Sequence, residues 1–428
     1  MARSTTELKE MLSDEPALAR LSEIYVDEKM IPGQMGRYDE AIKNFEDLFG
    51  AQKAEIYSAP GRSEVGGNHT DHQRGKVMAT SVNLDMIAVV QKTDDDMITI
   101  KSDGYPIISL SVSDTAVRKN EFGTTKALVR GVAAGLKQEG YRTGGFRAYI
   151  TSDVPGGSGM SSSAALEILI GVIFSGLYND MKPDPVFLAK TGQYAENVYF
   201  GKPCGLMDQM ASSVGGLIYI DFENTEAPVV KPVNIDFEEF GHSLCIVDTK
   251  GSHADLTEDY AAIPAEMKLI AEHYGVDVLR QIESRQFFED LPLLRSECGD
   301  RAVLRAMHYF SENERVEEMR TELEAHDFEG FRDLIRRSGN SSFKYLQNVF
   351  AVHQVREQGL SIGLAVSEKV LRGKGAVRVH GGGFAGTIQA FVPDEMVEEY
   401  REEIDDVFGK GSCRVLKVRK YGGIRVFD

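Results

Sequence analysis

Phosphoryl transfer to an alcohol needs a carboxylate to accept or orient the hydroxyl proton, oxygen ligands for a divalent metal, and donors that cradle phosphate. The stretch Glu196-Asn197-Val198-Tyr199-Phe200-Gly201-Lys202-Pro203-Cys204-Gly205-Leu206-Met207-Asp208-Gln209 offers carboxylates for the first two roles. A lone Asp in a loop is ordinarily a cap or turn residue. The cradle is suggested by Val154-Pro155-Gly156-Gly157-Ser158-Gly159-Met160-Ser161-Ser162-Ser163-Ala164-Ala165. A phosphate chain could lie there against exposed N–H groups, serine hydroxyls and the positive end of a helix dipole. Glycine matters because a Cβ would block close backbone approach. The plainer reading is a serine-capped helix after a tight turn. Three serines and the company of the other motifs weigh against it.

The third segment, Ala59-Pro60-Gly61-Arg62-Ser63-Glu64-Val65-Gly66-Gly67-Asn68-His69-Thr70-Asp71-His72, crowds polar side chains into a loop between apolar strands. That suits a ligand rich in hydroxyls. Asp71 can accept two sugar O–H bonds, and Asn68 and His69 can each donate or accept. His69, Asp71 and His72 could instead be a metal cluster, although no fourth ligand is evident nearby. Standard nucleotide signatures fail: no G-x-x-x-x-G-K-[S/T] occurs, and Gly157-x-Gly159 is followed by Ser162 where a dinucleotide fold has glycine. Phe331-Arg332-Asp333-Leu334 matches a protein-kinase catalytic loop only superficially and reads as part of an amphipathic helix.

The elements that must hold these motifs are legible in outline. Phe146 to Ile150 alternates like a half-buried strand, and Ala164 to Ile170 is nearly all apolar after three serines, so a strand, a glycine loop and a buried helix follow one another. Glu258 to Glu272 and Glu314 to Arg337 carry helical spacing, while Arg414 to Val418 and Gly423 to Val426 look like a closing strand pair. The fold class is α/β grading to α+β. A length of 428 residues with 42% hydrophobic composition supports two domains, set at 1–225 and 226–428, because Asn224 to Pro232 has loop-like composition.

A formal charge of -18 argues against long-range attraction to nucleic acid or an anionic membrane. Met1 to Pro16 lacks an apolar signal region, and the four cysteines form no C-x-x-C pair, which predicts a cytoplasmic protein with reduced thiols.

Together the segments resemble the GHMP small-molecule kinases and, among them, the galactokinases. The motifs run in family order: Pro60 to Asp71, Pro155 to Ala165, Gly205 to Gln209, and Gly381-Gly382-Gly383-Phe384-Ala385-Gly386. The resemblance implies a ribosomal-S5-like N-terminal domain, a ferredoxin-like C-terminal domain and an active site in the cleft between them. It also implies phosphorylation of the anomeric hydroxyl of galactose by ATP with Mg²⁺. Alternatives are another aldose such as N-acetylgalactosamine or arabinose, or a non-catalytic sugar and ATP sensor. The presence of Asp208, Arg62, Ser163 and Glu196 speaks for the enzyme.

By the same resemblance Asp208 is the base and Arg62 supports the developing negative charge. Asn68, His69, Thr70, Asp71, Gly205 and Tyr260 hold the sugar, Tyr260 standing seven residues after His253. Gly156 to Ser163 wrap the ATP phosphates, and Ser163 with Glu196 holds Mg²⁺. Galactokinases usually carry Glu at the position of Asn68, Tyr at His72, and Asn-Leu-Ile at Glu64-Val65-Gly66. They often carry a Trp where this chain has Thr125, and two arginines where it has Ile263-Pro264. A neutral Asn68 predicts galactose as a substrate with a comparatively high KM, tightened by Asn68→Glu.

Overall fold

Strands covered on both faces read as continuous apolar runs, and the two longest strands of this chain are buried along almost their whole length. The computed structural model describes residues 2–156, 159–252 and 255–427. Its strands in chain order are β1 (Arg3–Ser4), β2 (Lys53–Gly66), β3 (Lys76–Lys92), β4 (Met97–Ser102), β5 (Ile108–Ser111), β6 (Phe146–Ser152) and β7 (Leu217–Asp221). They continue with β8 (Val229–Pro232), β9 (His242–Asp248), β10 (Ala376–His380), β11 (Thr387–Pro393), β12 (Cys413–Leu416) and β13 (Ile424–Arg425).

The first sheet follows the path β1-β2-β3-β6-β4-β5, with β13 also on β2, and β7 on β3 carrying β8. Among the described residues, only β4 and β6 pair in parallel. Two register breaks in the β2–β3 ladder, between Pro60 and Arg62 and between Glu64 and Gly66, re-aim the segment that carries Arg62. The second sheet is antiparallel, in the order β10-β11-β9-β12.

The Ser162–Asn179 helix is long and apolar enough to cross a membrane, yet 72% of it is buried. Ile168, Leu169, Val172 and Ile173 pack into the core with Tyr57, Ala59 and Ala88. It is a core helix.

Two sequence expectations change, and a third is borne out with a break in it. Arg414 to Val418 and Gly423 to Val426 do not pair with each other, since β12 joins β9 in the second sheet and β13 joins β2 in the first. Asn224 to Pro232 is not all loop, because β8 pairs with β7. The helical spacing over Glu314 to Arg337 spans two helices, Asp300–Glu324 and Phe328–Ser341. His326 turns left-handed between them, and the Asp327 carboxylate caps the second helix by accepting from Gly330 N–H at 2.9 Å.

Between β12 and β13 the chain crosses back to the first sheet and is held there by Arg419. Its guanidinium, fully buried, donates to Asp85 at 3.0 Å and to Ser58 Oγ at 2.8 Å. Arg37 reaches the same Asp85 at 2.7 Å. Arg419→Met should cost about 3 kcal/mol, at the low end for a broken buried pair because Arg37 remains. Denaturant unfolding checks this, and a loss under about 0.5 kcal/mol would show that the strap is held without the Arg419 side chain, by β13 and the backbone bonds of Lys417, Val418 and Arg419.

Candidate active site

Asp208 lies in the first turn of the short Met207–Val214 helix, where the helix dipole favours a negative charge. The helix is docked on β2 by Ser212 Oγ, which donates to the Pro60 carbonyl at 2.6 Å. That docking puts Asp208 opposite Arg62. Arg62 Nε and Nη2 donate to the two carboxylate oxygens at 2.6 and 2.7 Å, a bidentate pair. The Arg62 side chain is 7% exposed and that of Asp208 30%, so the carboxylate keeps an open side. Burial pushes the Asp208 carboxyl up, but the Arg62 charge and hydrogen bonds and the Ser161 hydroxyl outweigh it and hold it below its ordinary value. Asp208 is therefore ionised at neutral pH.

The third Arg62 nitrogen, Nη1, donates to the Gly159 carbonyl, and Arg62 N–H donates to the Met160 carbonyl at 3.2 Å. One arginine thus ties the carboxylate to the glycine loop. Gly159 has φ +72°, a conformation natural to glycine, and a Cβ at Gly156 would meet open space. Gly157 and Ser158 lie outside the described residues. The Met160 side chain is buried beside Val65 and Val154 and anchors the loop. Ser161 is left-handed and caps the helix that starts at Ser162, without the side-chain cap bond that a run of serines suggests.

Ser163 Oγ donates to Glu196 Oε1 at 3.2 Å, joining the start of that helix to a single π turn, Ala195–Phe200. Lys202 Nζ lies 3.4 Å from the same oxygen. Gln209 Nε2 donates at 2.9 Å to both Glu196 Oε2 and Glu167 Oε2. Burial and the neighbouring Glu196 raise the Glu167 carboxyl well above its ordinary value. Gln209 and Glu167 thus orient Glu196 from behind. Both stood inside segments singled out in the sequence, but nothing there paired them. Mg²⁺ takes few protein ligands and keeps several waters, and a hydroxyl beside a carboxylate fits that demand.

Asp71 stands against Gly205, where a Cβ would overlap its carboxylate. Its Oδ1 accepts from His72 N–H at 2.9 Å. His69, at φ +57°, points Nε2 to the Gly382 carbonyl at 3.0 Å. Burial lowers its pKa to about 4 and that of His72 to about 3. Thr70 is fully buried, its hydroxyl 2.9 Å from the Gly67 carbonyl and 2.7 Å from that of Lys76. Tyr260 OH donates to the Gly383 carbonyl at 2.8 Å. His253 lies outside the described residues. Among those described, no group of three or more His, Cys, Asp or Glu side chains is arranged to hold a metal ion.

Asn68 is placed differently from the others. It is 1% exposed; its amide nitrogen donates to the Gly381 carbonyl at 2.6 Å and to Glu64 at 3.2 and 3.3 Å. Its Oδ1 accepts from Asn348 Nδ2 at 2.8 Å. Every polar atom of its side chain is thus engaged within the protein. The structure brings Arg62, Asp208, Gly159, Asp71 and Gly205 into one region, joins Ser163 to Glu196 beside it, and sets Asn68 into the seam behind.

Residues 127–216 match the family described as GHMP kinases N terminal domain, and residues 43–92 match the Galactokinase galactose-binding signature. A galactokinase of Actinobacillus pleuropneumoniae serotype 3 is 32% identical over 386 residues, covering 86% of this chain and 93% of the relative. A Streptomyces coelicolor galactokinase is 29% identical over 381 residues, covering 88% and 94%. Lactococcus lactis galactokinase, solved with galactose, superposes with a TM-score of 0.76 at 23% identity, over 90% of this chain and 98% of that one. Methanococcus jannaschii mevalonate kinase superposes at 0.60 with 17% identity, over 86% and 98%. With the two-domain fold shared across these kinases and full-length relatives at this identity, the chain belongs to the galactokinase family of the GHMP kinases.

Proposed function

We propose that the chain transfers the γ-phosphoryl group of ATP to the anomeric hydroxyl of galactose, yielding galactose 1-phosphate and ADP. The observation that carries this is the placement of Arg62, which donates at once to both oxygens of Asp208 and to the carbonyl of Gly159. Asp208, ionised and open on one side, accepts the hydroxyl proton as the O–P bond forms. Arg62 moderates the negative charge that develops between the sugar oxygen and the transferring group. Gly156 to Ser163 hold the phosphates through backbone N–H groups. Ser163 and Glu196 would hold Mg²⁺, which when bound neutralises phosphate charge. Asp71, with Gly205 leaving room for it, accepts sugar hydroxyls. Four unpaired cysteines fit a cytoplasmic site of action.

A coupled ADP-release assay over a panel of aldoses tests the reading. Galactose should give the highest kcat/KM. Release of ADP with no aldose of the panel, or at least about tenfold better turnover of another sugar, would sink it.

A pH effect arises at Asp71. Burial and the nearby Asp208 charge push its carboxyl up to about 6, against the His72 N–H that pulls it down. Only the ionised form accepts two hydroxyls, so KM for galactose should rise about tenfold from pH 7 to pH 5, with Asp71→Asn flattening the profile. The effect on stability has the opposite sign. The native carboxyl holds its proton more tightly than the unfolded one, so this group's contribution to stability falls as pH rises through the window up to about 6. A wild-type galactose KM that stayed level across this range would remove Asp71 from the sugar site.

A further inference from the structure

The phosphate loop is held on one side by Arg62. Its other side rests on the second sheet, at a histidine that closes one strand of that sheet. His380 ends β10, is 2% exposed, and sits 317 residues from its partner Ser63. A Cβ at Gly159 would lie 2.9 Å from Thr387 Oγ1 and 3.2 Å from His380 Nδ1, so the loop backbone lies directly on the ring and its neighbour.

The hydrogen bonds around the ring select one tautomer. Gln389 Nε2 donates to the Glu64 carbonyl at 2.7 Å and to Ser63 Oγ at 2.8 Å. The Ser63 hydroxyl hydrogen is then directed to His380 Nε2 at 3.1 Å, and Glu64 N–H points at the same nitrogen from 3.3 Å. Nε2 is consequently the acceptor. Nδ1 carries the hydrogen and donates to Thr387 Oγ1 at 2.9 Å. Ser63 and Glu64 directly follow Arg62 in β2, so one neutral ring connects the second sheet, the strand bearing Arg62 and the glycine loop.

We propose that His380 is a positioning residue which sets the height of the phosphate loop against the Arg62 strand and so governs ATP affinity. This rests on reading Gly156 to Ser163 as the ATP loop. The essential bond of the ring is the acceptor at Nε2, because it reaches the Arg62 strand while the Nδ1 bond to Thr387 stays within the second sheet.

Three variants test it, with ATP affinity measured by calorimetry in the absence of sugar and galactose KM measured separately. His380→Ala should weaken ATP by at least about tenfold, as expected when the support of a binding loop is loosened. His380→Gln, whose Oε1 reaches the Nε2 position, should stay within about threefold of wild type, and His380→Asn, which reaches only the Nδ1 position, should resemble alanine. Galactose KM should move less than about twofold in all three. ATP affinities of Gln and Asn variants that were equal would overturn the proposal, as would a galactose KM that rose in step with the loss of ATP. The order of Gln and Asn decides even where the alanine variant fails to fold. Wild-type protein that bound no ATP would overturn the reading of the loop itself, and this proposal with it.

Discussion

Asp208→Asn keeps the fold and nearly keeps galactose affinity while lowering turnover by at least about 10²-fold, the usual worth of a positioned proton acceptor. The substitution changes one oxygen for an amide and leaves the shape of the side chain alone. Its cost falls on two functions at once. The amide cannot take the hydroxyl proton, and its N–H₂ meets Arg62 where a carboxylate oxygen now accepts at 2.6 or 2.7 Å. Arg62 is still held by the Gly159 carbonyl and by its backbone bond to Met160, so the loop does not collapse. Single-turnover kinetics separate the step from product release. The wild-type pH profile gives a second check: since the Asp208 carboxyl lies below its ordinary value, no loss of kcat from this group should appear near neutrality. Turnover of the purified variant close to the wild-type rate would end the assignment of Asp208 as the base.

What could be read in the sequence follows the range of the interactions concerned. The strand Phe146–Ser152, the glycine loop and the Ser162–Asn179 helix were legible because alternation, glycine and an apolar run are local signals. The motif residues Arg62, Asp71 and Asp208 were legible as types, but the bidentate pair joining residues 146 apart was not. Strand existence was likewise readable at Arg414 to Val418 and Gly423 to Val426, whereas the partner of each strand depends on where the chain has already gone. A buried Arg419 between them sends the second strand to β2. The break at Ala325 to Asp327 was hidden by charged residues on both sides, though Asp327 before Phe328 is an N-cap signal in retrospect. Asn348 and His380 carried no local signal at all. Their partners, Asn68 and Ser63, are 280 and 317 residues away.

Asn68→Glu should destabilise the protein by about 4 kcal/mol and weaken galactose binding, the reverse of the tightening that the sequence alone suggests. Read singly, Asn68 is a family glutamate lost and Glu64 a family asparagine lost. In the structure the two side chains touch: Asn68 donates to the Glu64 carboxylate at 3.2 and 3.3 Å, and Glu64 also accepts from the fully buried Arg378 at 2.6 Å. Burial raises the Glu64 carboxyl, and the Arg378 and Arg62 charges work against that. A second carboxylate at 68 would face Glu64 and the Gly381 carbonyl with no hydrogen to give either, in a site 1% exposed. An unpaired buried charge of that kind typically costs about 3–5 kcal/mol. The loop holding Asp71 hangs from the same seam, so its geometry loosens with it. Combining Glu64→Asn with Asn68→Glu restores an amide opposite a carboxylate, with Asn348 Nδ2 now donating to the acid. The double variant should recover about half of the loss, a coupling of about 2 kcal/mol in a double-mutant cycle followed by denaturant unfolding. Wild-type stability of Asn68→Glu together with a lower galactose KM would show instead that position 68 faces the sugar and that the seam is not what holds it.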